Sequence, residues 1–91
     1  HVMKIEVETE TLDEVRQALE AGADIIMLDN MSIDLMAQSV ALIGGKALAE
    51  ASGNMGEKDL LEVAKTGVDY ISIGALTHSV KSLDISLKFK K

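Results

Sequence analysis

Two rhythms alternate along the chain. Four runs have the spacing of strands: "KIEVE" from Lys4, "DIIMLD" from Asp24, "KALAEAS" from Lys46 and "DYISIGA" from Asp69, recurring at an interval near twenty-one residues. Between them lie segments with a helical period. In "TLDEVRQALEAG", Thr11 stands as N-cap with Glu14 three residues on, a capping box; Leu12, Val15, Ala18 and Leu19 form an apolar stripe, and Gly22 supplies the stop. "SIDLMAQSVALIGG" repeats the logic, with Ser32 as cap, Leu35, Met36, Val40 and Ile43 as stripe, and Gly44 or Gly45 as stop. "GEKDLLEVAKTG" does so again and ends at Gly67. Two helix exits even match each other, since "AGADII" and "TGVDYI" share Gly, Asp and Ile at the same offsets.

Strand, helix, strand, helix in this order predicts an α/β protein of about four successive right-handed βαβ units on a parallel sheet. A closed (β/α) barrel needs eight strands and about 250 residues. Four strands therefore form either an open sandwich of their own or half of a barrel. The tail "SLDISLKFK" alternates Leu83, Ile85, Leu87 and Phe89 with polar neighbours, which predicts a C-terminal edge strand.

Composition narrows the partners. With 91 residues, 47% of them apolar, there is material for one modest core and no second domain. The absence of cysteine excludes a disulfide framework and a thiolate metal site, and fits a reducing cytoplasm. No apolar run approaches the roughly 20 residues of a membrane helix, and no signal-peptide core opens the chain, so a soluble protein without a membrane partner is expected. Fifteen acidic against nine basic residues give a formal charge of -6, which repels nucleic acid, and one Tyr, one Phe and no Trp leave few platforms for base stacking. An anionic ligand must be held locally, by backbone N–H groups, helix N-termini or a metal ion.

Ligands of barrels and open α/β sheets bind outside the carboxyl ends of the strands. Here those ends are Glu8, Asp29, Ser52-Gly53-Asn54 and Gly74-Ala75. Lys4, Glu6 and Glu8 share one face of the first strand, either a solvated charged face or one turned toward a barrel axis. Asp29 follows four apolar residues, where a carboxylate needs a partner, unless it serves as a turn residue ahead of Ser32. If Glu8 and Asp29 end adjacent strands about 5 Å apart, they repel by about 3 kcal/mol at an effective dielectric of 20 and call for a cation or a developing positive charge between them. "EASGN" and "SIGALTHS" each place a glycine between a strand and a helix, as a phosphate loop or as ordinary turn chemistry. Thr77 and Ser79 read as N-caps of a helix beginning at "LTHS", and His78 as a surface or packing residue.

With these strand ends lined up, the chain closely resembles the C-terminal part of the quinolinate phosphoribosyltransferases. The resemblance runs from "KIEVE" through "AGADIIMLDNMS" and "ALAEASGN" to "TGVDYISIGALTHSVKSLDISLKF". It implies an enzyme of de novo NAD biosynthesis, in which quinolinate and phosphoribosyl pyrophosphate, with Mg²⁺, give nicotinate mononucleotide, CO₂ and pyrophosphate. It implies that Glu8 and Asp29 surround the ribose and the metal as catalytic carboxylates. It further implies that Ser52, Gly53 and Asn54, with the backbone of Ile73, Gly74 and Ala75, hold the 5-phosphate. Asn54 stands where many relatives have a second glycine, a departure that bears on the phosphate geometry.

Members of that family are much longer. They begin with another α/β domain and early barrel strands carrying the Arg, Lys and His residues that hold quinolinate and pyrophosphate. The resemblance thus implies the C-terminal half of a barrel over residues 1–91, with the earlier parts absent, and an isolated chain without turnover. Arg16, the only arginine, lies on a helix. An open half-barrel leaves an unpaired strand edge and uncovered apolar surface, which predicts a homo-oligomer. Two other readings are half of a different phosphate-binding barrel, such as a thiamin phosphate synthase-like protein, and a non-catalytic α/β assembly module.

Overall fold

The computed structural model describes residues 4–53 and 57–83. Along the chain run β1 (Glu6–Thr9), α1 (Leu12–Glu20), β2 (Ile25–Asp29), α2 (Ile33–Ile43), β3 (Leu48–Ser52), α3 (Glu57–Lys65), β4 (Tyr70–Ile73), β5 (Leu76–Ser79) and α4 (Val80–Leu83). The sheet keeps sequence order, β1-β2-β3-β4-β5; β1 to β4 are parallel and β5 returns antiparallel on β4.

That order decides between the two architectures left open above. Each right-handed crossover that steps to the next strand on the same side lays its helix on the same face of the sheet. A doubly wound sandwich needs a reversal of strand order to cover its second face, and β1 to β4 contain none. The units are therefore wound as in a (β/α) barrel. One core lies between sheet and helices: Val15 and Ala18 of α1, Met36 and Ile43 of α2 and Val63 of α3 pack with Ile26, Leu28, Ala49, Ala51 and Ile71. Ile26, Leu28 and Ile71 are fully enclosed, and each contributes about 1.5–3 kcal/mol by burial. By alternation and register, Glu6, Glu8, Ile25, Met27, Asp29, Leu48, Glu50, Ser52, Tyr70 and Ser72 point to the opposite, axial face.

The repeated Gly-x-Asp exits are clamps at the strand starts. The Ile5 N–H donates to Asp24 Oδ2 at 2.8 Å while the Asp24 N–H donates back to the Ile5 carbonyl at 2.9 Å. One repeat later, the Ala49 N–H donates to Asp69 Oδ2 and the Asp69 N–H to the Ala49 carbonyl, both at 2.9 Å. The carbonyl of each aspartate then accepts from the following element, Asp24 from the Leu48 N–H and Asp69 from the Val80 N–H. Each aspartate, through its carboxylate and its backbone together, thus ties three chain segments at a fixed relative height.

Three local expectations change. Thr11 caps α1 by accepting from the Glu14 N–H at 3.1 Å, but the Glu14 carboxylate reaches past Thr11 to the Glu10 N–H at 2.6 Å, so the capping box is displaced by one residue. "LTHS" is strand β5 and not a helix start: Gly74-Ala75 is a two-residue turn with Gly74 at φ 62°, which sends the chain back along β4 with Ile73 opposite Leu76. Only Ser79 acts as a cap, its Oγ accepting from the Ser82 N–H at 3.2 Å, whereas Thr77 turns its hydroxyl to Ser72. In the tail predicted as an edge strand, Ser82 and Leu83 belong to α4, and residues 84–91 lie outside the described residues. Among the described residues the antiparallel edge of the sheet is β5.

Candidate functional site at the strand ends

The carboxyl ends of the parallel strands form one rim. Asp29 and Ser52 stand opposite each other in register and share the axial face. Beyond them the backbones touch: the Asn30 N–H donates to the Ser52 carbonyl at 2.8 Å, and Asn30 takes a left-handed φ of 57°, which asparagine tolerates. Gly53 has φ 123°, and a Cβ there would lie 3.0 Å from both the N and the Cα of Asn30. Only glycine permits this approach. Ser52 and Gly53 are thereby seated directly over the turn that carries Asp29.

Ile73, Gly74 and Ala75 reach the same rim from β4. Ala51 pairs with Ile71, so Ser52 is level with Ser72 and the Gly74 turn projects just past it. The expected loop before a helix is here the tip of a hairpin, with an exposed backbone. Asn54 lies outside the described residues.

Glu8 is on the correct face but not at the same height. It pairs with Met27, two residues short of Asp29, which separates the two backbones by about 8 Å where about 5 Å was expected. The strand itself ends one residue later, at Thr9, whose buried hydroxyl donates to the Met27 carbonyl at 2.8 Å and locks the β1–β2 register. Mutual repulsion falls with that separation, and both side chains project toward one space over the axial face. Among the described residues no three His, Cys, Asp or Glu side chains come together as a metal cage. Glu8 and Asp29 are two carboxylates of this face that could offer oxygen ligands to a cation. Arg16 is on α1, ion-paired with Asp13, and takes no part in the rim. His78 sits half-buried in β5 opposite Ile71, a packing position.

Glu50 escaped the sequence reading. It is buried on the axial face, and its carboxylate accepts a hydrogen bond from Ser72 Oγ. Glu6, on the same face, has its carboxyl raised from the ordinary value, first by partial desolvation, then by the charge of Glu50 and a hydrogen bond with it, then by Glu8. A concavity of about 300 Å³ lies beside this group, lined in part by Glu6, Leu48, Glu50, Tyr70 and Thr77. Another of about 440 Å³, lined in part by Gly67, Asp69 and Val80, opens at the strand starts. Neither includes Asp29, Ser52 or Gly74.

A model of the family "Quinolinate phosphoribosyl transferase, C-terminal domain" matches residues 1–88. The chain is 50% identical over 91 residues to a probable nicotinate-nucleotide pyrophosphorylase (carboxylating) of Methanocaldococcus jannaschii, covering 92% of this chain and 32% of that protein. It is 48% identical over 87 residues to the Bacillus subtilis protein of the same name, covering 96% of this chain and 30% of that one. The crystal structure of nicotinate-nucleotide pyrophosphorylase from Ehrlichia chaffeensis superposes with a TM-score of 0.74 at 39% identity, over 76% of this chain and 25% of that one. The chain thus spans about a third of the length of the curated relatives it matches.

Proposed function

The chain belongs to the quinolinate phosphoribosyl transferase family, and from that premise we propose that it supplies the ribose-phosphate half of a phosphoribosyl transfer site. In the full-length protein the reaction joins quinolinate to the phosphoribosyl group of phosphoribosyl pyrophosphate, with loss of CO₂ and pyrophosphate, giving nicotinate mononucleotide for NAD biosynthesis. The observation that carries this reading is the seating of Ser52-Gly53 on the Asp29-Asn30 turn, which sets a carboxylate beside glycine backbone at one rim.

In this reading the backbone N–H groups of Gly53, Gly74 and Ala75, with the Ser52 hydroxyl, hold the 5-phosphate; Asn54 belongs to the same loop. Asp29 faces the ribose hydroxyls, and its charge stabilises positive charge developing at the anomeric carbon. Glu8, deeper on the face, binds the sugar or its magnesium. The metal, when bound with phosphoribosyl pyrophosphate, neutralises charge on the leaving pyrophosphate.

Among the described residues no cationic cluster stands at the rim to clamp a dicarboxylate and a pyrophosphate, so we assign the isolated chain no turnover by itself. The same reading places the complete protein in the cytoplasm as a homo-oligomer; several plant relatives are named mitochondrial or chloroplastic. Among the described residues no helix is long and apolar enough to cross a membrane.

The test is to incubate quinolinate, phosphoribosyl pyrophosphate and Mg²⁺ with the full-length protein, with the 91-residue chain, and with the chain plus the preceding part in trans. Product from the full-length protein and not from the chain is expected. Absence of product from the full-length protein rejects the function, and product from the chain rejects its assigned inactivity. Sedimentation of the full-length protein as a monomer at high concentration removes the assembly claim.

A further inference from the structure

Glu50 is 7% exposed and lies outside the proposed ligand contacts, yet it faces the same side of the sheet as Ser52, two residues ahead. Its carboxylate accepts from Ser72 Oγ. Ser72 Oγ also lies 3.2 Å from Thr77 Oγ1, a contact in which either hydroxyl could donate. The bond to Glu50 fixes the direction. A serine hydroxyl has one proton and two lone pairs; with that proton committed to the carboxylate, Thr77 must be the donor to Ser72. The three side chains form a directed chain from β5 through β4 to β3.

This chain sits directly beneath the turn. Ser72 and Thr77 are partners in register, and the next pair outward, Ile73 and Leu76, closes onto Gly74-Ala75. Remove the acceptor at position 50, and Ser72 is free to donate to Thr77 instead. The hairpin then loses its side-chain anchor to β3, the strand that carries Ser52 and leads into Gly53.

We infer that Glu50 is a positioning residue for the phosphate: through Ser72 and Thr77 it holds the Gly74 turn in register with the Ser52-Gly53 loop, so that both loops address one phosphate. This rests on the phosphoribosyl reading above. Charge opposes the arrangement, because a carboxylate below a phosphate site repels the ligand. The anchoring role therefore separates from the charge in Glu50→Gln, which keeps an acceptor oxygen for Ser72 and removes the charge.

The experiment uses the full-length protein, with ribose 5-phosphate binding measured by calorimetry and turnover with phosphoribosyl pyrophosphate measured separately. Glu50→Ala and Ser72→Ala are each expected to weaken ribose 5-phosphate binding and raise KM about tenfold, the effect of losing one charge-assisted hydrogen bond, with kcat within about threefold. The double variant is expected to be no weaker than either single one, and Glu50→Gln to stay within about threefold of wild type. If Glu50→Ala fails to fold, Ser72→Ala and Glu50→Gln decide alone. Unchanged affinity in Ser72→Ala, additive losses, or a Glu50→Gln as weak as the alanine variant overturns the inference while leaving the phosphoribosyl reading intact. A wild-type protein without transfer activity overturns both.

Discussion

The Gly-x-Asp clamp permits a prediction in which two copies of one motif control for each other. In Asp69→Ala the Ala49 N–H loses its carboxylate acceptor, a contact of 2.9 Å in a half-buried setting. In Asp24→Ala the Ile5 N–H loses its acceptor at 2.8 Å, but there water replaces it, because that contact is exposed. A hydrogen bond to a charged acceptor contributes about 1.5–3 kcal/mol when desolvated. Asp69→Ala should lower stability by roughly that amount, and at the lower end by about 6–12 °C in Tm for a unit of this size. Asp24→Ala should lower it by about 0.5–1 kcal/mol, the value of an ordinary bond with water competing. Asp69→Asn, which keeps an acceptor oxygen without its charge, should recover about half of the larger loss. Urea denaturation followed by circular dichroism gives the free energies. Hydrogen exchange at the Ala49 amide reports the bond itself, and that amide should exchange faster than its strand neighbours in Asp69→Ala. Equal losses at the two sites, or an Ala49 amide as protected as in wild type, would refute the claim that the aspartate carboxylate sets the height of the strand.

Other outcomes follow from the rim and the axial face. Gly53→Ala puts a Cβ 3.0 Å from the Asn30 backbone at a φ of 123°; a loss of about 1–3 kcal/mol is expected, with a large shift of the Asn30 amide resonance and little change elsewhere. Asp29→Ala in the full-length protein should reduce kcat about 10²-fold or more while moving stability by no more than about 0.5 kcal/mol, and wild-type kinetics would remove Asp29 from the reaction. Glu6, whose carboxyl is raised above the ordinary 4.5, favours folding most when protonated, so its contribution is complete below that value and lost as pH rises through the raised one. Glu6→Gln should therefore raise Tm at neutral pH and leave it unchanged near pH 3.5; an equal gain at both pH values contradicts the charge argument.

Much of the frame was legible because it is written locally. Thr11 and Ser32 cap the helices they were expected to cap, Gly44 ends α2 in a left-handed conformation, and the apolar runs are the strands. The repeated Gly-x-Asp was visible as a pattern, but its purpose was not, because the partner N–H groups lie 19 and 20 residues away in sequence. Register was the harder quantity. Nothing in "KIEVE" or "DIIMLD" says that Glu8 meets Met27, and that single offset changes the relation between Glu8 and Asp29. The turn after β4 was misread for a similar reason: a strand followed by glycine can lead into a helix or fold back as a hairpin. The exposed Leu76 and Thr77 carry no period long enough to decide between them.

Glu50 shows where reading by pattern stops. Alternation alone puts it in line with Leu48 and Ser52 and says nothing of its burial. Two facts of topology supply the rest. The sequential order of β1 to β4 assigns Ala49 and Ala51 to the helix-covered face, which leaves Glu50 on the axial one. The fold-back of β5 then brings Thr77 beside Ser72, and Ser72 onto the carboxylate, while Tyr70 stands opposite in register. Burial of the charge is thus a consequence of how the hairpin closes, and the carboxylate in turn orients the hydroxyls that keep it closed. A residue whose environment is made by the element it helps to hold leaves no local signature. Its role becomes visible only once the strand order, the register and the direction of each hydroxyl proton are known together.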